Sequence, residues 1–257
     1  MNDINRNSKF NKNNDELTAE GRNAVLEAIR TCDNPDRLYV QEGLGEGAVS
    51  RIIAEAKARN ILTVYVPKDK LELMSETGRH QGVILKLAAV HYADVDDILD
   101  KAEKYGEKPF IFILDSIEDP HNLGAIIRTA NLSGAHGVII PKHRSASVNA
   151  TVARASAGAV YHTLIAKVTN IPQTIDYLKE RGVWTVCADM NGTPMYKLNL
   201  KGSIGLVIGN EGKGVSRLVA EKCDMTASIP MKGDIDSLNA SVAAGILAWE
   251  IFRQNIE

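Results

Sequence analysis

From Phe110 to the end of the chain, short apolar runs alternate with segments of helical periodicity: FIFILD, NLGAIIRTANLS, GVII, VNATVARASAG, TLIAKV, IPQTIDYLKERG, WTVCAD, IGLVIG, VSRLVAEK, ASIP and SLNASVAAGILAWEIFRQ. Runs this short and continuously apolar suit strands buried on both faces, and the helices between them supply the crossovers that parallel strands require. The expected fold of this half is α/β, a mainly parallel sheet with helices on both faces. Ligands of such sheets bind outside the carboxyl ends of the strands, so polar clusters just past a strand carry the functional question.

The preceding residues predict a smaller α/β unit. Helices are expected in TAEGRNAVLEAIR, AVSRIIAEAKARN and KDKLELMSE, and strands in RLYVQ, LTVYV and GVILKLA,. Residues 1–15, rich in Asn and Lys, lack the apolar surface to offset ordering entropy and predict a disordered arm. HYADVDDILDKAEKYGEKP is dense in charge and ends in Gly and Pro, which marks a boundary,. The expected organisation is therefore an arm over 1–15, a small domain over 16–92, a linker with a helical stretch over 93–108, and the parallel-sheet domain over 109–257.

Of the 257 residues 44% are hydrophobic and 24% charged, an ordinary globular composition,. No run approaches the roughly 18 to 20 apolar residues of a membrane span, and MNDINRNSKFNKNNDE has no signal-peptide apolar region. No membrane association and a cytoplasmic location are expected. Cys32, Cys187 and Cys223 form no CxxC pair and the histidines have no metal-ligand spacing, so reduced thiols and no metal are expected,. A net charge of −2 gives no general attraction for polyanions,. A local patch would be needed, and Lys142, His143 and Arg144 in PKHRS, with Arg154 further on, are its candidates.

Two glycine-rich stretches imitate nucleotide-binding patterns. Gly43, Gly45 and Ala48 have dinucleotide-fingerprint spacing with Asp69 beyond, but the unit that follows is too short and Glu46 would repel a pyrophosphate at the helix start. In GNEGKGVS, Gly214 rather than Ser or Thr follows Lys213, unlike a phosphate loop.

Three polar clusters remain. In DPHNLGAIIRTA, Asn122 stands at the expected N-cap, with Gly124 and Arg128 on one face a turn apart and Gly124 expected to leave space beside Arg128 for a ligand; a capped helix with a solvated Arg and an anion site both fit. In IGLVIGNEGKGVS, Gly209, Asn210, Glu211 and Gly212 follow a buried strand, as a special loop or a flexible turn. In IPMKGDIDSLNASVAAG, Ser237 can cap the last helix, leaving Asn239 and Ser241 unexplained by propensity.

Taken in order, D-x-x-x-D-P-x-N-x-G-x-x-x-R-T-A from Asp115, I-G-N-E-G-x-G from Ile208 and I-P-M-x-G-x-x-x-S-L-N-x-S-x-A from Ile229 closely resemble the SpoU (TrmH-type) RNA ribose 2′-O-methyltransferases of the SPOUT superfamily. The resemblance covers residues 108–257, while G-R-N-x-V-L-E-A from Gly21 and H-Q-G-V from His80 resemble the N-terminal RNA-binding domain of the ribosomal-RNA branch. It implies a deep C-terminal trefoil knot, which the general rarity of knots would otherwise exclude. It also implies a homodimer and the methyl donor S-adenosylmethionine. Matched position by position, Asn122, Arg128, Glu211, Ser237 and Asn239 correspond to the catalytic polar set. Gly209, Ile229 and Leu238 correspond to the donor pocket, with Met231 and Ser241 nearby. Ala240 stands where the family usually has Val.

The implied activity is 2′-O-methylation of structured RNA, with a guanosine of large-subunit ribosomal RNA favoured over tRNA. In the family the Arg is assigned the role of general base. With an ordinary pKa above about 12, Arg128 is better suited to stabilise an incipient alkoxide and hold the adjacent phosphate. A nicotinamide-dependent oxidoreductase built on the Gly43 loop and a non-catalytic RNA-binding relative are the alternatives.

Overall fold

A computed structural model describes residues 18–32, 34–75, 77–88, 90–233 and 237–256. The arm expected over 1–15 lies outside them. The chain divides into two compact units between His91 and Tyr92.

The first unit runs β1 (Thr18–Glu20), α1 (Arg22–Thr31), β2 (Pro35–Gln41), α2 (Ala48–Ala58), β3 (Leu62–Val66), α3 (Lys68–Met74) and β4 (Val83–Leu87). Its sheet has the order β1-β4-β2-β3, parallel only between β2 and β3. Leu38, Val40, Val83 and Leu85 form a core with Val25 and Ile29 of α1 and Val49 and Ile52 of α2. Residues 18–20, expected to be helical, form a strand because Thr18 pairs with Lys86 of β4 and Gly21 turns the chain before α1.

The second unit runs α4 (Val95–Tyr105), β5 (Phe110–Asp115), α5 (Pro120–Leu132), β6 (Gly137–Pro141), α6 (Ala150–Ala155), β7 (Leu164–Val168), α7 (Ile171–Glu180), β8 (Trp184–Pro194), β9 (Ile204–Gly209), α8 (Arg217–Lys222), β10 (Met225–Ser228) and α9 (Ala240–Asn255). Six parallel strands take the order β10-β8-β9-β5-β6-β7. Every residue of β5 and β9 is buried, as their unbroken apolar runs require,. The chain travels outward from β5 through β6 to β7, then crosses to the other side to lay down β8, β9 and β10. The order thus reverses between β5 and β9, and a crevice is expected at their carboxyl ends. Threading of the C-terminal segment through a knot is compatible with this order.

The helical stretch expected within residues 93–108 is α4, which packs on the second unit. Ala93 bridges to Ala166 of β7, and Ile98 and Ala102 of α4 are fully buried. Gly137 lets β6 approach this helix: a Cβ there would lie 2.5 Å from the Ile98 side chain. The dense charge that suggests a linker occupies the outer face of an amphipathic helix, where Asp94 and Asp97 form a capping box,.

The last helix is tied to the loop before β9. Gln254 accepts from the Leu200 amide at 2.8 Å, and Asn255 accepts from the Gly202 amide at 2.9 Å. Buried Glu250 receives two bonds of 2.8 Å from Arg253 and one of 2.8 Å from Gln254. The Arg253 guanidinium, aided by Gln254, holds the Glu250 carboxyl down at about 2 against the opposing effect of burial. In β8, a hydrogen bond from Cys223 holds the buried Cys187 thiol down at about 7, and the same contact raises Cys223. Among the described residues no helix is long and apolar enough to cross a membrane, and no group of three or more His, Cys, Asp or Glu could hold a metal ion.

Because the folded pKa of Glu250 lies below its ordinary 4.5, its contribution to stability is complete above that value and is lost as pH falls toward 2. Glu250→Gln is expected to lower the melting temperature at pH 7 and to flatten its decline between pH 5 and pH 2, measured by thermal unfolding across that range.

Candidate active site

Four residues separate the end of β5 from the start of α5, and Asp119, not Asn122, caps the helix. The Asp119 carboxylate accepts from the His121 amide at 3.0 Å, and Pro120 takes the first helical position, where it needs no N–H,. Asn122 therefore lies inside the helix with its side chain available. Buried at 7% exposure, it donates to Glu211 Oε1 at 2.7 Å and accepts from Asn239 Nδ2 at 3.0 Å. Asn239 donates to the same Glu211 oxygen. One residue from each of three distant segments thus closes a three-way hydrogen-bonded cluster.

Glu211 reaches this cluster through a tight reversal after β9. Asn210 and Gly214 exchange backbone hydrogen bonds of 3.0 and 2.8 Å. Asn210 Oδ1 accepts from the Gly212 and Lys213 amides at 3.0 and 3.3 Å, while Nδ2 donates to the Ser116 carbonyl at 3.0 Å. Asp115, the last residue of β5, accepts from the Ser216 amide at 2.7 Å. The reversed chain lies so close that a Cβ on Gly209 would sit 2.1 Å from the Gly214 carbonyl carbon. Glycine is obligatory there by close approach, and Gly214, at φ 66°, by backbone conformation,.

Asn239, not Ser237, is the N-cap of α9. Its Oδ1 accepts from the Ser241 amide at 2.9 Å and the Ser241 hydroxyl at 2.6 Å. The same side chain thus caps a helix with its oxygen and joins the cluster with its nitrogen.

A cavity of about 380 Å³ opens beside this cluster. Of the residues expected in a donor pocket, Gly209, Ile229, Met231 and Leu238 line it, together with Glu211 and Ser237. Ser241 is not among the lining residues; its hydroxyl donates to Asn239 Oδ1. Another wall is Ala188 to Asn191 of β8, absent from the sequence-based set. The sequence signal for it is WTVCAD, an apolar run that ends at Asp189, although β8 itself continues to Pro194,. Ala240, where the resemblance leads one to expect Val, lines the cavity too. The volume falls within the roughly 300–1,000 Å³ of small-molecule sites. Apolar walls from Ile208, Ile229, Leu238 and Leu247 suit a flat heterocycle, and Asp189 and Glu211 suit positive charge.

Arg128 stands apart. It is exposed and has no side-chain partner among the described residues. Six positions beyond Asn122 carry it about 9 Å along α5 and about 120° around it. Gly124 does not clear space for Arg128 or a ligand: a Cβ there would lie 2.5 Å from Ala155 Cβ and 2.9 Å from the Val152 carbonyl oxygen, so it serves the packing of α5 against α6. His143, Arg144 and Arg154 are exposed and Lys142 is half-buried. The first three residues of this basic set follow β6 at the same carboxyl edge of the sheet, outside the cluster.

Chemically, the cluster fixes two carboxamides and a carboxylate at the rim of a cavity, a polar wall able to orient a hydroxyl-bearing substrate. Asn239→Ala removes the helix cap and two cluster bonds, and is expected to cost about 1–2 kcal/mol in urea unfolding. Ser237→Ala is expected to stay within about 0.5 kcal/mol.

Comparison with known proteins gives two family matches: residues 109–249 match the model described as the SpoU rRNA Methylase family, and residues 18–93 match RNA 2′-O ribose methyltransferase substrate binding. The chain is 46% identical over 236 residues to YacO of Bacillus subtilis (strain 168), which is named for the TrmH family of tRNA/rRNA methyltransferases, covering 91% of this chain and 94% of that one. Among solved structures it is similar to the SpoU methyltransferase AviRb of Streptomyces viridochromogenes in complex with AdoMet, with a TM-score of 0.60, 23% identity and 95% and 94% of the two chains covered. It is also similar to the AdoMet-bound rRNA methyltransferase of Sinorhizobium meliloti, with a TM-score of 0.58, 25% identity and 95% and 89% covered.

Proposed function

Because the chain belongs to the SpoU rRNA methylase family, we propose that it is an RNA methyltransferase that methylates a ribose 2′-hydroxyl using S-adenosylmethionine. The observation that carries this reading is the Asn122–Glu211–Asn239 cluster at the rim of a cavity suited to the donor. Gly209, Ile229, Met231 and Leu238 would hold the donor, which supplies an already activated sulfonium methyl.

The residues of this chain then have to align and activate a weakly nucleophilic hydroxyl. Asn122 and Asn239, each immobilised by Glu211, present amide groups at fixed angles to the ribose, and Ser237 extends this polar wall. Arg128, without a side-chain partner among the described residues, stabilises the forming alkoxide and fixes a neighbouring phosphate as a permanent cation. Lys142, His143, Arg144 and Arg154 continue the positive edge for RNA. The first unit, residues 16–92 in our assignment, supplies further RNA binding, a role supported by the match of residues 18–93.

For substrate we favour a guanosine of large-subunit ribosomal RNA, methylated in the cytoplasm. This choice rests on the N-terminal resemblance to the ribosomal-RNA branch. The working form in our reading is a homodimer with a knotted C-terminal segment. Val242, Trp249, Phe252 and Ile256 leave an apolar stripe along α9, each 40–56% exposed, and a second copy of the chain would cover it,.

Transfer of tritium from labelled donor to ribosomal RNA is expected, with Arg128→Ala slowing it about 10²-fold. Wild-type transfer by that variant would remove Arg128 from the mechanism. Comparing 2′-O-methyl maps of RNA from cells with and without the gene identifies the nucleotide, and a lost site in tRNA would overturn the ribosomal assignment. In sedimentation velocity the wild type is expected to run as a dimer and Trp249→Asp as a monomer.

A further inference from the structure

We infer that Lys213 is the residue that recognises the carboxylate of the methyl donor, a role that rests on the donor reading above. Among the described residues lining the cavity, Lys213 is the one cation, against two carboxylates, Asp189 and Glu211. S-adenosylmethionine carries two positive groups, a sulfonium and an α-ammonium, and one negative group. The wall thus has the complementary charges in the complementary ratio.

The two acids and the lysine are not paired with one another. Glu211 is engaged by Asn122 and Asn239, and Asp189 accepts from the Asn191 amide at 2.8 Å. The Lys213 ammonium has no hydrogen bond or ion pair among the described residues. Its backbone is nevertheless held in place. The Lys213 amide donates to Asn210 Oδ1 at 3.3 Å, and the Asn210–Gly214 bridge closes the reversal around it. The wall therefore offers a fixed base with one long, unengaged cationic arm. An ammonium suits this task because it acts as a point charge that needs no planar docking geometry.

The lysine could instead face an RNA phosphate, and binding measurements separate the two. Calorimetric titration of the full-length protein would use S-adenosylmethionine and its decarboxylated analogue, with wild type, Lys213→Met and Lys213→Arg. Wild type is expected to prefer the intact donor by about fivefold, the scale of one partly exposed ion pair. Lys213→Met should weaken the intact donor by that factor and leave the decarboxylated analogue unchanged, while Lys213→Arg should retain the preference. Equal weakening of both ligands by Lys213→Met would overturn the inference, as would unchanged donor binding accompanied by weaker RNA binding. If the folded wild type bound neither ligand, the donor reading itself would fall together with this inference; wild-type binding without a Lys213 effect would sink the inference alone.

Discussion

The reversal of the chain after β9 is the constraint on which the site depends. A strand end buried between two neighbours has nowhere to send its chain except over its own edge, and here the return path passes within van der Waals contact of Gly209. That approach tolerates no side chain, so the reversal is bound to glycine by volume rather than by flexibility. Asn210 then satisfies the loop amides that the turn would leave unpaired, and also reaches Ser116 beyond β5,. Two adjacent strand ends become one rigid platform. Glu211 is delivered to the cluster, Lys213 to the cavity wall, and neither position would be defined if the loop could relax.

Helix starts do the rest. Each of the two flanking helices separates capping from function differently. At α5 the cap is assigned to Asp119, which frees Asn122 to face inward. At α9 one residue has both tasks, because the carboxamide of Asn239 has an oxygen for the helix amides and a nitrogen for its neighbours. Replacement of that Asn by Asp would keep the cap and lose the donor, which is the physical reason an amide rather than a carboxylate stands there. Glu211 supplies the acceptor that both amides need, so a single carboxylate orders two side chains. Such a network is preorganised before any ligand arrives, the condition under which polar groups contribute most to a transition state.

Much of this is legible in the residues, and the differences between expectation and structure share a cause. Continuous apolar runs identified β5 and β9, and their ends located the site edge. Asn239 stands out because helix propensity leaves it unexplained, whereas Asn122 reads equally well as a helix cap and Glu211 as part of a turn, so the family resemblance is what joins the three. By contrast, the caps were misplaced by two or three residues, since Ser, Asp and Asn near a helix start are interchangeable by propensity and only the hydrogen bond decides among them. Gly124 was misread because a glycine on a helix has the same letter whether it faces a ligand or another helix. Ala188 to Asn191 of β8 belong to none of the three motifs, so only the fold brings them into the cavity wall, and the dense charge around the helical stretch at α4 conceals its packing on the second unit.

The amino-acid order by itself therefore determined the alternation of strands and helices, the parallel sheet and the polar residues available for chemistry, because these follow from local periodicity and side-chain type. Only the tertiary structure decided which residues meet. Asn122 and Asn239 are separated by more than a hundred positions and joined at 3.0 Å, a contact set by strand order and by the point where the crossover reverses, which local sequence does not encode. The same holds for Lys213: its letter announces a charge, and the folded loop alone turns that charge into part of a cavity wall.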